Sequence, residues 1–402
     1  MIRGNVHLLA KLYHGTQRGL DTVKMLFLYH SSFCYVILFK YLQIMSVVEI
    51  NKDLNVVILD HKLFLERVYG GLKVFDQLLD SFKVKTPFRM DLEAEKVAAN
   101  LENGNNHKHE SIKRRRKRKW NENDFSAEVL EVKKKYDLSK NLIEAHFNGT
   151  PSIDEIRENN KVLRMEVKKY LERLQTFEIP LKGQNLSDEC VKQDGIVYPP
   201  NCEFFNIDIS QLHQLEGKGK FDVVVMDPPW LNKHVKRVKS GAGGYSMVED
   251  SVLEEVDLRP LLSAEAVVAV WCTNSARRRA AVAAMFRSWG LELAATWTWL
   301  KVTQHGELVA DFSPSGAKQP HEVVLVAARS ALAAPPLLLV SVPSALHSHK
   351  PPLADTLRWL LESEGDTGRW DKLNKLEIFG RNLLPGWTTV GNQPCLFNID
   401  VD

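Results

Sequence analysis

The residues most able to do chemistry are Asp227-Pro228-Pro229-Trp230, which close the apolar run Phe221-Asp222-Val223-Val224-Val225-Met226 with a carboxylate, two rigid prolines and an indole. An exocyclic adenine amine is a weak nucleophile, because its lone pair is delocalised into the ring. An enzyme that alkylates it must hold both amine hydrogens and aim the nitrogen at an electrophile. Asp227 can accept one hydrogen and the Pro228 carbonyl the other. The prolines fix φ and hold that carbonyl still, and Trp230 offers a face on which an extruded base can stack. The chemistry this set suits is methylation of adenine at N6. The same four residues would also serve as a strand-ending turn beside a core tryptophan. What favours a site is position, since the carboxylate follows a β-prone run where open α/β sheets place their ligands.

The surrounding sequence predicts such a sheet. After Pro199-Pro200 the chain alternates between candidate strands at 204–207, 221–226, 266–272, 293–301, 322–328, 337–342, 375–379 and 388–390 and intervening helices. One helix is expected from an Asn274 N-cap to Trp289, stopped by Gly290, and another over 352–364 with Pro352 in its first turn. The expected fold class is α/β: a Rossmann-type, doubly wound, mostly parallel methyltransferase domain over 201–402. A small α+β domain over 46–101, with short strands at 47–50 and 55–59 and a turn at 67–71, is expected to precede it, followed by a linker at 102–120 and a helical middle section over 121–200. In that middle section Ser152 and Glu155 form a capping-box pattern ahead of apolar residues at helical spacing.

A methyl donor is required, and S-adenosyl-L-methionine is the usual one. No Gly-x-Gly-x-x-Gly precedes the 221–226 strand, and Gly241-Ala242-Gly243-Gly244 follows it in a basic segment that suits a flap. The motif order therefore implies permutation, with cofactor contacts drawn from the C-terminal end. Lys350 could hold a carboxylate as a point charge, Arg381 and Asn382 could bond ribose hydroxyls, and Asn392 and Gln393 could reach an adenine edge. Each alone is more ordinarily a turn or a helix entrance, and only the group together suggests a site.

Composition narrows the classes. The chain of 402 residues carries a formal charge of +3, but the run Lys113-Arg114-Arg115-Arg116-Lys117-Arg118-Lys119 supplies seven positive charges; the remainder has 46 basic against 50 acidic side chains. Net charge therefore carries no signal for nucleic acid, whereas the run itself suits a nuclear-import signal or a phosphate-binding arm. Cys34, Cys190, Cys202, Cys272 and Cys395 are odd in number and never paired as Cys-x-x-Cys, which argues for reduced thiols and against a zinc module. No metal is expected. Residues 1–45 hold a single acid, Asp21, and an apolar stretch too short for the roughly 20 residues of a membrane span. The remaining explanations are a mitochondrial presequence or translation that begins at Met45, and the second is the expectation.

The chain over 204–393 resembles the Asp-Pro-Pro-Trp adenine N6-methyltransferases, the family of the messenger-RNA N6-methyladenosine writer. The resemblance is carried by Asp227-Pro228-Pro229-Trp230 with Asn232-Lys233 and Val235-Lys236-Arg237, by Lys318-Gln319-Pro320-His321-Glu322, by Val340-Ser341-Val342-Pro343 and Leu346-His347-Ser348-His349-Lys350-Pro351-Pro352-Leu353, and by Arg381-Asn382-Leu383 with Pro385-Gly386-Trp387-Thr388. It implies that Asp227, Pro228, Pro229 and Trp230 form the catalytic tetrad and that Asp227 also faces the cofactor. It further implies that Asp208, Ile209, Lys350, Arg381, Asn382, Asn392 and Gln393 contact S-adenosyl-L-methionine, and that Tyr245, Lys236, Arg237 and Trp230 contact substrate. The transfer implied is a direct in-line attack by the amine, without metal or covalent intermediate. The implied substrate is an internal 2′-O-methyladenosine of a spliceosomal small nuclear RNA or, as an alternative, adenine in DNA, acted on by a monomeric nuclear protein. Three features depart from the family: the writer's paired zinc fingers are absent, Asn-Leu-Leu stands after Arg381 where the writer has Pro-His-Asn, and a glycine-rich insertion around Gly241 precedes Tyr245. A non-catalytic RNA-presenting partner of the same fold is the rival from another class, and the intact tetrad disfavours it. Methylation of a planar side-chain amide is a further enzyme alternative, disfavoured because the glycine-rich cofactor motif that usually precedes it is missing.

Overall fold

The computed structural model describes residues 46–70, 72, 75–88, 121–230, 256–314, 319–362 and 368–401. Strands β1 (Val47–Asn51) and β2 (Val56–Leu59) form an antiparallel hairpin whose Asn55 adopts φ 53°. Helix α1 (His61–Tyr69) follows at once because Asp60 caps it, accepting from Leu63 N at 2.8 Å. The turn expected at 67–71 is thus overtaken by a capped helix that continues to Tyr69. After α2 (Asp76–Asp80) come α3 (Ala127–His146), α4 (Ile153–Glu158) and α5 (Lys161–Leu174). The predicted Ser152–Glu155 capping box is present, and α4 breaks from α5 at Asn159 and Asn160, both at positive φ. Asn160 then donates to the Thr86 carbonyl at 2.8 Å, which ties the helices to the N-terminal segment.

The helical section ends well before residue 200, since β3 (Lys182–Asn185), β4 (Val191–Gln193) and β5 (Ile196–Tyr198) precede β6 (Cys202–Asn206). The remaining elements are β7 (Phe221–Met226), β8 (Leu262–Cys272), α6 (Ala276–Ser288), β9 (Glu292–Lys301), β10 (His321–Ala328), β11 (Leu338–Ser341), α7 (Ala354–Leu361), α8 (Arg369–Lys372), β12 (Lys375–Ile378) and β13 (Thr388–Gly391). Every strand read from periodicity after Pro200 is present within a few residues. Two helix boundaries differ. Asn274 does not cap α6: Ser275 holds that position, and the Asn274 amide donates instead to the His321 carbonyl at 2.8 Å. Pro352 lies just ahead of α7, whose N-cap is Leu353.

One sheet of eleven strands runs β1-β2-β11-β9-β10-β8-β7-β12-β13-β6-β3. Six of its ten adjacent pairs are parallel, and β10 is the interior strand antiparallel to both neighbours. The N-terminal segment therefore does not form a sheet of its own. β2 pairs in parallel with β11, because its fully buried Val-Val-Ile-Leu would otherwise expose two apolar faces. The last two strands of the chain, β12 and β13, are inserted between β7 and β6. Along β7, Val223 and Val225 face a core shared with α1, α5 and α7, and Val224 and Met226 face a second core shared with α6. This alternation covers both faces of the sheet and leaves its carboxyl edge as the place for polar groups.

Candidate active site

Because β6, β13, β12, β7 and β8 are parallel, the residues after each emerge along one edge. β10 runs the other way, so its first residues, His321 and Glu322, arrive at that edge too. The cleft there lies between β7 and β12, on either side of which the chain connections diverge, and it encloses about 480 Å³ of space partly open to solvent. Asp227, Lys350, Glu377, Arg381 and Asn382 line it together.

Asp227 is anchored by its backbone N–H on the Ile378 carbonyl at 3.2 Å. The Pro228 carbonyl already accepts from Trp230 N at 2.8 Å, so one lone pair remains for an amine. The indole of Trp230 donates to the Trp271 carbonyl at 3.0 Å, which fixes the ring, and the Arg278 guanidinium lies 5.6 Å from the ring centre.

A chain of charges backs the tetrad. Lys350 Nζ lies 2.7 Å from Glu322 Oε2 and 3.6 Å from Asp227 Oδ1, and Lys301 pairs with the other oxygen of Glu322. Burial alone would raise Glu322, but the two ammonium groups hold it well below the usual carboxylate range. Burial would likewise lower Lys350, yet Asp227 and Glu322 raise it, so it stays charged. For Asp227 burial dominates: opposed by Lys350 and reinforced by Glu322, it pushes the carboxyl up to about 6. His349, buried among His61, Phe82 and Phe397, is driven down to about 3 by burial and by Arg381, and is neutral.

On the β12 side Arg381 donates to the His347 carbonyl at 3.3 Å and to Gln393 Oε1 at 3.1 Å, so these predicted residues meet. Asn382 is 9% exposed, and its Oδ1 has no hydrogen-bond partner among the described residues. Gly380 is required by close approach, since a Cβ there would lie 2.4 Å from Thr389 Cγ2 and 2.9 Å from Glu377 Oε2. The loop can therefore run hard against β13 and leave Glu377 open to the cleft.

Asn392 is exposed at the end of β13. Asp208 and Ile209 follow β6, three strands from β7 and outside the cleft wall: Asp208 caps a 3₁₀ turn by accepting from Ser210 N at 3.0 Å, and Ile209 packs into the core beneath the sheet. At about 4.8 Å per strand the edge from Asp227 to Asp208 spans roughly 14 Å. Tyr245, Lys236, Arg237, the Gly241 flap, the basic run at 113–119 and residues 1–45 lie outside the described residues. Sequence reasoning gave no role of their own to Glu322 or Lys301, and named Glu377 only within the segment 377–382 expected to meet the cofactor. The signal for Lys301 and Glu322 was a charged side chain at or next to the end of a largely apolar strand.

Glu377 sets a pH dependence. Burial, then the Asp227 charge, push it up to about 8, so the folded protein keeps a proton that the unfolded chain, at 4.5, gives up. Stability of the ligand-free protein is therefore expected to fall as pH rises from 4.5 through about 8. Glu377→Gln should flatten that slope and raise Tm by about 2–5 °C above pH 8. Thermal denaturation across the range checks this, and an unchanged slope would show that another group carries it.

Residues 221–393 match the MT-A70 family model. Over 215 residues the chain is 35% identical to N(6)-adenine-specific methyltransferase METTL4 of Homo sapiens, covering 50% of this chain and 43% of that protein. It is 34% identical to the DNA N6-methyl methyltransferase of Caenorhabditis elegans over 49% of this chain and 53% of that one. It is 33% identical to the N6-methyladenosine RNA methyltransferase MTA1 of Pyricularia oryzae over 44% and 48%. The chain thus spans about half the length of the curated relatives it matches.

Proposed function

We propose that this protein is an S-adenosyl-L-methionine-dependent adenine N6-methyltransferase acting on nucleic acid, a reading supported by the match of residues 221–393 to the MT-A70 family model and by the similarity to METTL4. The observation that carries the reading is the juxtaposition of Asp227 and the Pro228 carbonyl with the cleft residues Lys350, Glu377, Arg381 and Asn382. The cofactor supplies an electrophilic methyl group. The cleft fits it in kind: Asn382 Oδ1 is a buried acceptor awaiting a hydroxyl, and Glu377 is a carboxyl that no cation among the described residues pairs. Lys350 has an N–H beyond those aimed at Glu322 and Asp227 for a ligand carboxylate. Asn392, Gln393, Asp208 and Ile209 follow the next strand ends and are assigned to the nucleoside end.

Asp227 accepts one amine hydrogen and the free lone pair of Pro228 the other, which turns the amine lone pair out of the ring plane and toward the methyl group. Trp230, held by Trp271 and flanked by Arg278, supports the base. An RNA with an internal 2′-O-methyladenosine, as in small nuclear RNA, is the substrate we assign first, with DNA adenine second. The RNA-methylating and DNA-methylating relatives both support a nucleic-acid substrate. A nuclear location is proposed on the basic run at 113–119. Deleting that run should weaken nucleic-acid binding and make its salt dependence shallower. Fluorescence anisotropy over a salt series checks this, and an unchanged slope would return the run to a solvated segment.

The assay that tests the function uses labelled S-adenosyl-L-methionine with matched RNA and DNA oligonucleotides, one RNA carrying a single 2′-O-methyladenosine, followed by nucleoside analysis. Label on N6 of that residue supports the assigned substrate, and preference for DNA replaces it. Cofactor binding without any transfer would favour the RNA-presenting partner.

A further inference from the structure

The loop after β12 is held by residues that lie outside 221–393. Leu383, the neighbour of Asn382, has both backbone groups fixed. Its N–H donates to Asn398 Oδ1 at 2.8 Å, and its carbonyl accepts from the Tyr69 hydroxyl at 2.7 Å. Asn398 Nδ2 donates to that same Tyr69 oxygen at 2.8 Å and to the Val197 carbonyl at 2.9 Å. One residue earlier, Phe397 N donates to the Arg381 carbonyl at 2.9 Å. Tyr69, Leu383, Phe397 and Asn398 are all buried. The backbone on either side of Asn382 is therefore clamped by the end of α1 and by the 3₁₀ turn at Leu396–Asn398.

The clamp acts on the cleft through a competition at one oxygen. Asn382 Nδ2 also reaches the Leu383 carbonyl, at 3.3 Å, and this is the weaker of the two bonds that carbonyl accepts. With the Tyr69 hydroxyl present the carbonyl is satisfied, and the Asn382 amide is held only loosely. Without it the Asn382 amide becomes the donor left to a buried carbonyl, which would draw it away from a ligand; an unmet buried acceptor costs about 1–3 kcal/mol. We propose that Tyr69 and Asn398 are positioning residues for the cofactor, which fix the backbone of Leu383 and so aim Arg381 and Asn382 into the cleft.

This rests on the cofactor reading above, and the test separates the two. S-adenosyl-L-methionine binding to the full chain is measured by titration calorimetry, alongside methyl-transfer kinetics and Tm, for the wild type, Tyr69→Phe, Asn398→Ala and Asn382→Ala. Tyr69→Phe is expected to weaken cofactor binding about 5- to 10-fold. It should raise the cofactor KM by the same factor and leave kcat at saturating cofactor and the oligonucleotide KM unchanged. In an Asn382→Ala background, Tyr69→Phe should cost little more, because both act through one group. Should Asn398→Ala fail to fold, Tyr69→Phe still decides, since it removes a single oxygen. Unchanged cofactor affinity in a Tyr69→Phe variant whose wild type binds normally would overturn the inference alone and leave the network a support of the fold. Absence of binding by the wild type would overturn both this inference and the cofactor assignment.

Discussion

Asp227→Ala is expected to lower methyl transfer by about 10³-fold while cofactor binding stays measurable. The side chain can be removed without losing the turn, because the backbone is held by the bond from Asp227 N to Ile378 and the bond from Trp230 N to the Pro228 carbonyl. What disappears is one of the two acceptors that grip the amine. The same carboxyl sets an acid limit. Burial pushes it up to about 6, so as pH falls through that value the acceptor is protonated and kcat/KM should fall with it. Asp227→Asn keeps the shape and one acceptor; it should show reduced transfer with that acid limb gone. A pH profile of kcat/KM for the wild type and both variants checks the pair of claims. Normal turnover by Asp227→Ala would end the mechanism.

The second large effect is expected from Lys350→Met, which leaves Asp227 and Glu322 facing each other without the ammonium that separates them. Breaking a buried pair by removing one partner costs about 3–5 kcal/mol, so a marked fall in Tm is expected. Cofactor affinity should fall about 10²-fold, if the remaining N–H of Lys350 holds a ligand carboxylate as a charge-assisted bond. A third signature is specific to the network. Lys350 is what holds Asp227 down against burial and Glu322, so its loss should move the acid limb of the residual activity to higher pH. The double variant Lys350→Met with Asp227→Asn should regain much of the Tm, since Glu322 keeps Lys301 and the carboxylate left without a cation is gone, without regaining cofactor affinity. Recovery of both together would mean that Lys350 acts only through stability.

The strands around the site were legible because their periodicity is unambiguous: β7 was read residue for residue, and β8 to β13 within a few positions of their ends. That Asp227, Lys350, Arg381 and Asn382 would come together could be anticipated because each follows a strand or opens a loop, and they line one cleft. What could not be read was pairing between distant segments. Nothing local in Val56–Leu59 says that it adds to β11 rather than to a small domain, since an apolar strand seeks any covered edge. The missed helix α1 turned on a single capping carboxylate, Asp60. Glu322 looked like the start of a strand, and its function follows from two lysines brought to it by β9 and by the loop after β11. Asp208, read as a cofactor contact, also spends one oxygen on a local cap, a competition that sequence cannot rank.

The insertion of β12 and β13 beside β7 fixes when the protein can begin to work. The bond between Asp222 and Asn374 that starts the β7–β12 pairing spans 152 residues of sequence. A ribosome makes the N-terminal side first, at about 5–20 residues per second, so the catalytic turn waits several seconds in the nascent chain for its neighbours. Throughout that wait the apolar flank of β7 has no partner on one side. A premature stop or frameshift anywhere between the two strands therefore yields a long product with an intact Asp-Pro-Pro-Trp and an open sheet edge, more prone to aggregation than to partial activity.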